Sequence, residues 1–406
     1  MNGQRRSLTH VGGKVSVFGD VELTRAFTHA LEVASAAEVS DSATLRPHVH
    51  DFHVYPARMH PETAGRLVDA LSNKGDKVLD PFCGSGTVPV EAMLRGHTAI
   101  ASDLNPLAVR LTLAKGGLAF NPDELMMAAV RVRGVADERR TKRAGFSTNY
   151  AQEDREAFAP HVLAELDGLR VGIAAERKGP VKDALELVLS SLLTKFSTRR
   201  ADTSGETAEK RIAAGYAAKL FDKRAESFAE ALHTFARRLP SPAPRLLTFV
   251  DDARSLKGVR DGEAQVVITS PPYAATYDYV DHHDLRMRWL GLSTQEMRKG
   301  EIGARRAYNR LGPSEARAMW QGELAGLFRS LARVTSPKAR VALVMADSAV
   351  GETPIRADEA VALSLAGTPF SLSAGASQER PHFHGPTQAA FRNAPRREHV
   401  LLLTRD

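Results

Sequence analysis

A single cysteine, Cys83, stands in 406 residues, so the chain cannot close a disulfide on itself or build a zinc or iron–sulfur site from several cysteines. Long apolar runs are missing too. None approaches 18 residues, which argues against a membrane span and a membrane partner. The first ten residues hold Arg5 and Arg6 with no apolar stretch behind them, unlike a secretory signal. The expectation is a soluble, cytoplasmic protein. Charge of one sign is scarcely in excess: Lys+Arg 55 against Asp+Glu 48 leaves +7, which permits a polyanionic partner without requiring one. Internal repeats and low-complexity tracts are also absent.

What is present is ordinary globular material, 43% hydrophobic and 25% charged. The length predicts two or three units, or one domain with a large insertion. Residues 1–45 are polar and small and read as a loosely ordered arm. Lys77–Asp80 reads as a buried strand, a glycine turn follows, Val88–Arg95 has helical spacing, and Thr98–Asp103 is a second strand ending in an acid. That βαβ unit implies a parallel sheet with right-handed crossovers. Residues 121–240 break the rhythm. Val181, Leu185, Val188, Leu189, Leu192, Leu193 and Phe196 recur at helical spacing, as do Ile212, Tyr216, Leu220, Phe221, Phe228, Leu232 and Phe235. A βα connection needs only a few residues, so this stretch is an inserted helical subdomain. Strand signals return at Arg245–Val250, Ala264–Ile268, Ala339–Met345 and His399–Thr404. The predicted fold is α/β, a doubly wound, mostly parallel sheet over residues 46–120 and 241–406, interrupted by helices at 121–240.

Two strand-end motifs carry the chemistry. The first is Asp80-Pro81-Phe82-Cys83-Gly84-Ser85-Gly86-Thr87. Its glycines let backbone approach a ligand, and the helix it opens offers free N–H groups. It lacks the Lys-Ser/Thr of a phosphate loop and the Gly-x-Gly-x-x-Gly of a dinucleotide site. Asp80 suits a cationic amine, and Asp103 suits ribose hydroxyls. An ammonium acceptor beside a ribose acceptor fits S-adenosylmethionine better than a diphosphate. The second motif is Thr269-Ser270-Pro271-Pro272-Tyr273. Its prolines donate no N–H, leaving carbonyls as acceptors; Ser270 adds a hydroxyl and Tyr273 a flat face. Such a set suits a planar exocyclic amine.

Together these motifs resemble the S-adenosylmethionine-dependent amino-methyltransferases of nucleic-acid bases, chiefly the DNA N4-cytosine and N6-adenine enzymes, with their Rossmann-like fold. The resemblance implies that Asp80, Phe82, Gly84, Ser85, Gly86 and Thr87 form the cofactor loop. It implies that Asp103 and Asn105 complete the site and that Ser270, Pro271, Pro272 and Tyr273 are the catalytic tetrapeptide. The stretch Phe52–Met59, with His53 and Tyr55, resembles the segment that packs over the methionine end of the cofactor. Asp252 matches the acid that contacts the cofactor adenine, with Asp251 as an open alternative. A serine before Pro-Pro is more usual for cytosine N4; adenine N6 is the runner-up, and guanine N2 of RNA comes next. A catalytically decayed DNA-binding protein is the reading from another class. A cytosine carbon-5 enzyme needs a cysteine nucleophile, usually after a proline, whereas Cys83 follows Phe82.

The implied partner is DNA, RNA less so, with a cognate restriction enzyme as a further possibility. Arg199 and Arg200, with Arg298, Lys299, Arg305 and Arg306 in a glycine-containing stretch, are the expected phosphate contacts. The helical insertion is the expected target-recognition region. Tyr277, Asp278, Tyr279, His282 and His283 either line the base pocket or pack the next helix. No metal is expected: the pairs His50/His53 and His382/His384 have no suitably spaced carboxylate, and the chemistry requires none. Arg396-Arg397-Glu398 is read as surface or as a mouth-of-site contact.

Overall fold

The computed structural model describes residues 13–33, 48–199, 207–308, 310–381 and 385–405. Its centre is an eight-stranded sheet. In chain order the strands are β1 (Val15–Phe18), β2 (Lys77–Asp80), β3 (Thr98–Asp103), β4 (Leu246–Val250), β5 (Ala264–Thr269), β6 (Thr335–Ala346), β9 (Phe370–Arg380) and β10 (Arg396–Arg405). Between β6 and β9 the chain forms a small ribbon of β7 (Ser348–Val350) and β8 (Thr353–Ile355). The order across the sheet is β1-β9-β10-β6-β5-β2-β3-β4. Strands β2 to β6 are parallel, β10 is antiparallel to both β6 and β9, and β1 is antiparallel to β9.

The chain steps outward from β2 through β3 to β4, then lays β5 on the other side of β2. The strand order reverses there, and the loops leaving β2 and β5 diverge around a crevice. Both faces of the sheet are covered, because side chains alternate along each strand. Val78, Ala99, Val266, Ala342 and Leu402 join one core cluster; their neighbours Leu79, Ile100, Val267, Leu343 and Leu403 join the other. Helices Pro61–Leu71, Thr87–Leu94 and Pro106–Gly116 pack on the first face, and Pro313–Val334 and Ala357–Ser364 on the second.

Among the described residues the insertion has five helices between β3 and β4: Pro122–Thr141, Gln152–Ala157, Pro160–Ala175, Pro180–Phe196 and Tyr216–Arg238. Its core is continuous with the first face of the sheet, and Phe228 stacks on Phe52 with ring centroids 3.5 Å apart. Glycine lets two of its helices meet closely: a Cβ on Gly172 would lie 2.9 Å from the Val132 Cα. The expected apolar stripes are buried except at Val181, Ile212 and Leu220, which are half-buried, and at Tyr216. Ile212 precedes the helix, and Tyr216, its first residue after the Gly215 cap at φ +80°, is 41% exposed.

Two expectations change. Residues 13–33 are not loosely ordered: β1 extends the sheet, and helix Val21–Leu31 buries Phe27, Ala30 and Leu31. Thr63 Oγ1 donates to the Ala30 carbonyl at 2.8 Å, fastening that helix. The remainder of 1–45 lies outside the described residues. The second change is β9, whose Phe-Ser-Leu-Ser-Ala-Gly-Ala-Ser-Gln gives no apolar run. It is held by backbone pairing on both sides, and Gly375 leaves room for the Phe18 ring.

Candidate functional site

Asp80 ends β2 and Thr269 ends β5, the neighbouring strand. The Thr269 hydroxyl donates to Asp80 Oδ1 at 2.6 Å, so the two motifs are joined directly. The loop after Asp80 closes on itself and on β3. Phe82 N–H donates to Asp80 Oδ1 at 3.1 Å, Cys83 N–H to the Ser102 carbonyl at 2.9 Å, and Gly84 N–H to Asp103 Oδ2 at 2.9 Å. Gly86 caps the following helix at φ +84°, where a Cβ would come within 2.7 Å of Thr112 Oγ1. Only glycine meets both demands at that position. From below, the buried Lys115 ammonium donates to the Ser85 carbonyl at 2.7 Å, and burial depresses its pKa to about 7.

The crevice between the motifs holds a cavity of about 910 Å³, including open space at its mouth. Tyr55, Asp80, Phe82, Gly84, Ser85, Thr87, Asp103, Asn105, Asp252, Ser270 and Pro272 all line it. Burial pushes the Asp80 carboxyl up to about 7, against the pull of the Thr269 hydroxyl and Phe82 N–H. Asp103 rises to about 6, again by burial, against the N–H groups of Asn105 and Gly84. Neither carboxylate pairs with a basic side chain among the described residues. Two buried acids without counter-charge suit a ligand that brings a cation and hydroxyl donors. Asn105 orders the wall, donating from Nδ2 to the Tyr55 oxygen at 3.2 Å. Of the two neighbouring acids, Asp251 is spent on its own turn, accepting from Asp252 N–H, Gly258 N–H and the Ser255 hydroxyl. Asp252 faces the cavity and pairs with Arg254, Oδ2 to Nη2 2.6 Å.

A second cavity adjoins the first, with about 950 Å³ of empty space. Ser270, Ala57, Arg58 and Met59 belong to both walls, while Tyr273, Thr276, Tyr277, Arg380, Arg396 and Glu398 face only the second. Burial raises the Tyr273 hydroxyl to about 12, and the neighbouring Ser270 side chain offsets part of that rise. Ser270 therefore belongs to the wall that the two hollows share. Pro271 is buried and lines neither, and Pro272 gives its carbonyl to Trp320 Nε1–H at 3.3 Å.

Some expected residues lie elsewhere. His53 points into the insertion, its Nδ1 2.8 Å from the Val54 carbonyl and its Nε2 3.1 Å from Ser190 Oγ, and so takes no part in the cavity wall. Gly86 shapes the loop without lining the cavity. His50 bonds Glu91 rather than a metal partner of His53, Nε2 to Oε1 2.8 Å, and Arg95 holds the same carboxylate. Tyr279 lines the first cavity, Tyr277 the second, and His283 is buried against the Tyr55 ring at 4.6 Å.

The glycine-containing basic stretch forms two short helices, Gln295–Gly300 and Arg305–Tyr308. Met297, Gly300, Glu301 and Ile302 roof the first cavity, a role that no spacing in the sequence announced. Its cations are engaged by acids: Arg305 and Arg306 hold Asp278, Arg306 also holds Glu301, Arg298 lies 3.6 Å from Asp281, and Lys299 3.2 Å from Glu296. Arg298 and Lys299 remain the more exposed pair, at 48% and 63% of their side chains. Arg199 bridges to Thr207 beside the acids Glu153, Glu156 and Glu209; Arg200 and His382/His384 lie outside the described residues.

Residues 25–114, which contain the whole Asp80–Thr87 loop, match a family model described as DNA methylase. The chain is 24% identical over 308 residues to the Type II methyltransferase M.BsoBI of Geobacillus stearothermophilus, covering 69% of this chain and 58% of that protein. It is 36% identical over 69 residues to the Type II methyltransferase M.MvaI of Kocuria varians, 16% of this chain and 15% of that one. A tRNA (guanine(10)-N2)-dimethyltransferase of Methanothermobacter thermautotrophicus is 41% identical over 61 residues, 15% of this chain and 18% of that one. The chain thus spans 58% of the first relative's length and under a fifth of the other two. Among solved structures, TrmN from Thermus thermophilus aligns with 85% of this chain and 49% of its own at 13% identity and a TM-score of 0.33.

Proposed function

We propose that the chain is an S-adenosylmethionine-dependent DNA methyltransferase acting on an exocyclic base amine, with cytosine N4 as target and adenine N6 as the alternative. The observation that carries this reading is the position of Ser270. It stands on a strand tip bonded to the cofactor loop and shares the walls of two adjoining cavities. The first cavity fits the cofactor, because Asp80 and Asp103 offer buried acceptors for an ammonium and for ribose hydroxyls. Bound there, S-adenosylmethionine supplies an electrophilic methyl on a sulfonium.

The protein's own contribution is alignment. An exocyclic amine is a poor nucleophile because its lone pair is delocalised into the ring. The Ser270 hydroxyl accepts a hydrogen from the amine and favours a pyramidal nitrogen whose lone pair faces the first cavity; the Pro271 carbonyl expected to share that role lines neither cavity. Good alignment of two reactants lowers a barrier by at most roughly 7–11 kcal/mol. A paired base cannot reach a pocket at a strand tip, so a duplex target is flipped out at a cost of a few kcal/mol, which stacking on Tyr273 partly offsets. The roof Met297–Ile302 excludes water from the cofactor side. Arg298 and Lys299, with the helical insertion, are assigned to the DNA backbone and target recognition. The enzyme is placed in the cytoplasm, and a cognate restriction endonuclease is the partner that the Type II relatives suggest.

A second reading, guanine N2 in RNA, draws on the 61-residue likeness to the tRNA enzyme. Expression in a methylation-free host separates them: sequencing that distinguishes N4-methylcytosine from N6-methyladenine should find one of these marks in DNA. Unmarked DNA with methylated RNA would reverse the assignment.

A further inference from the structure

Arg396 opens β10 at the wall of the second cavity and is 9% exposed. Its Nε–H donates to the backbone carbonyl of Asp347 at 2.8 Å. That anchor is itself immobilised. Asp347 Oδ1 accepts from Ala357 N–H at 3.0 Å and lies 3.0 Å from His399 Nε2; Oδ2 accepts from Arg356 Nη1 at 2.7 Å and Arg397 N–H at 3.0 Å. His399 is braced in turn by Ser377 Oγ, 2.8 Å from Nδ1. The guanidinium plane is thus fixed, while its two terminal nitrogens donate to nothing among the described residues.

The other arginines of this cavity are engaged. Arg380 holds Glu398 at 2.9 Å and the Leu31 carbonyl at 2.9 Å, and Arg58 donates to the His50 carbonyl. A largely buried arginine whose terminal nitrogens reach the open space of the cavity without a protein acceptor is available to a ligand's acceptors. Arginine presents its terminal N–H groups as a planar pair matched to two adjacent acceptors.

The Watson–Crick edge of a flipped base supplies the discriminating pattern. Beginning at the amine, cytosine offers N4–H₂, then the acceptor N3, then the acceptor O2. Adenine offers N6–H₂, then the acceptor N1, then a C–H. Ser270 and Arg396 line the same hollow, which places an acceptor for the amine and a fork for the remaining edge around one space. We propose, on the basis of the methyltransferase reading above, that Arg396 is a specificity-determining residue that selects cytosine by donating to N3 and O2 together. Adenine sets a C–H against one N–H of the fork and, with the base in place, leaves it unpaired, the kind of mismatch that polar sites reject most strongly.

The test uses the full chain and three proteins expressed in a methylation-free host: wild type, Arg396→Met and Arg396→Lys. Each is also titrated with S-adenosylmethionine by calorimetry as a check of folding. The expected result is N4-methylcytosine from wild type and at least a tenfold loss of cytosine methylation in both variants, with cofactor affinity within twofold of wild type. Lysine keeps the charge but not the fork, so full activity of Arg396→Lys would mark a phosphate contact and overturn the assignment. N6-methyladenine from wild type, or undiminished cytosine methylation by Arg396→Met, would also overturn it. An unmarked wild-type genome would overturn the methyltransferase reading itself, a different failure from either of these.

Discussion

The two cavities that meet at Ser270 are assembled in opposite ways. Much of the first is local: Asp80 to Asn105 is one strand, loop, helix and strand, tied together by the Gly84–Asp103 bond. The second draws on Tyr273, Ala346, Arg380 and Arg396, which come together through the sheet order β9-β10-β6-β5. Under the proposed function this is a division of labour: a donor site ordered mainly by bonds within one βαβ unit, and an acceptor site held by long-range packing.

The sharpest way to break that comparison is Gly86→Val. A branched side chain at φ +84° combines roughly 1–2 kcal/mol of backbone strain with roughly 1–3 kcal/mol of overpacking against Thr112. Cofactor affinity should fall at least about thirtyfold in a calorimetric titration; normal binding would show that the loop tolerates a different path. Asp103→Ala comes next. Losing a carboxylate that accepts charge-assisted bonds costs about 1.5–3 kcal/mol, or about 10- to 150-fold in cofactor affinity. An unchanged dissociation constant would remove Asp103 from the site.

Ser270→Ala tests the boundary between the cavities. Turnover should drop at least about tenfold while cofactor affinity persists, since one positioned acceptor contributes to alignment rather than to donor binding. Equal losses in both would mean that the cavities are not separable. Acidity sharpens the same contrast. Asp80 and Asp103 titrate near 7 and 6 because burial raises them, so the folded protein binds protons that the unfolded chain releases. The ligand-free protein should therefore lose stability as pH rises from about 4 to 7, and cofactor affinity should rise across pH 6–7 as the carboxylates ionise. Asp80→Asn should flatten both trends, measured by thermal melts and titrations. The smallest effect is expected from Lys299→Ala. An exposed pair contributes about 0–1 kcal/mol, so stability should hardly change, while the salt dependence of DNA binding should weaken by about one phosphate contact.

Particular residues show how far the sequence could be read. The βαβ unit, the helical insertion and both strand-tip motifs were legible, because strand alternation, helical spacing and glycine turns are written in consecutive residues. Strand β9 was not, since serine and alanine carry no pattern when pairing on both edges does the holding. His53 sits beside Tyr55 in sequence yet turns to Ser190 of the insertion, a contact that no local rule supplies. The basic stretch was read by its charge, whereas its place depends on Gly303, at φ +68°, passing close to the Tyr273 carbonyl.

By itself the chain's order of residues determined the loop after Asp80, because the Phe82–Asp80 bond lies within one turn and the Gly84–Asp103 bond, between residues 19 apart, closes a single βαβ unit. It also determined that a serine, two prolines and a tyrosine end a strand. Only the folded sheet decided what those residues face. The reversal of strand order between β2 and β5, and the antiparallel return of β10, carried Arg396 within the same hollow as Ser270. Contacts at such separations depend on the sum of many weak packing choices, and no short segment encodes that sum.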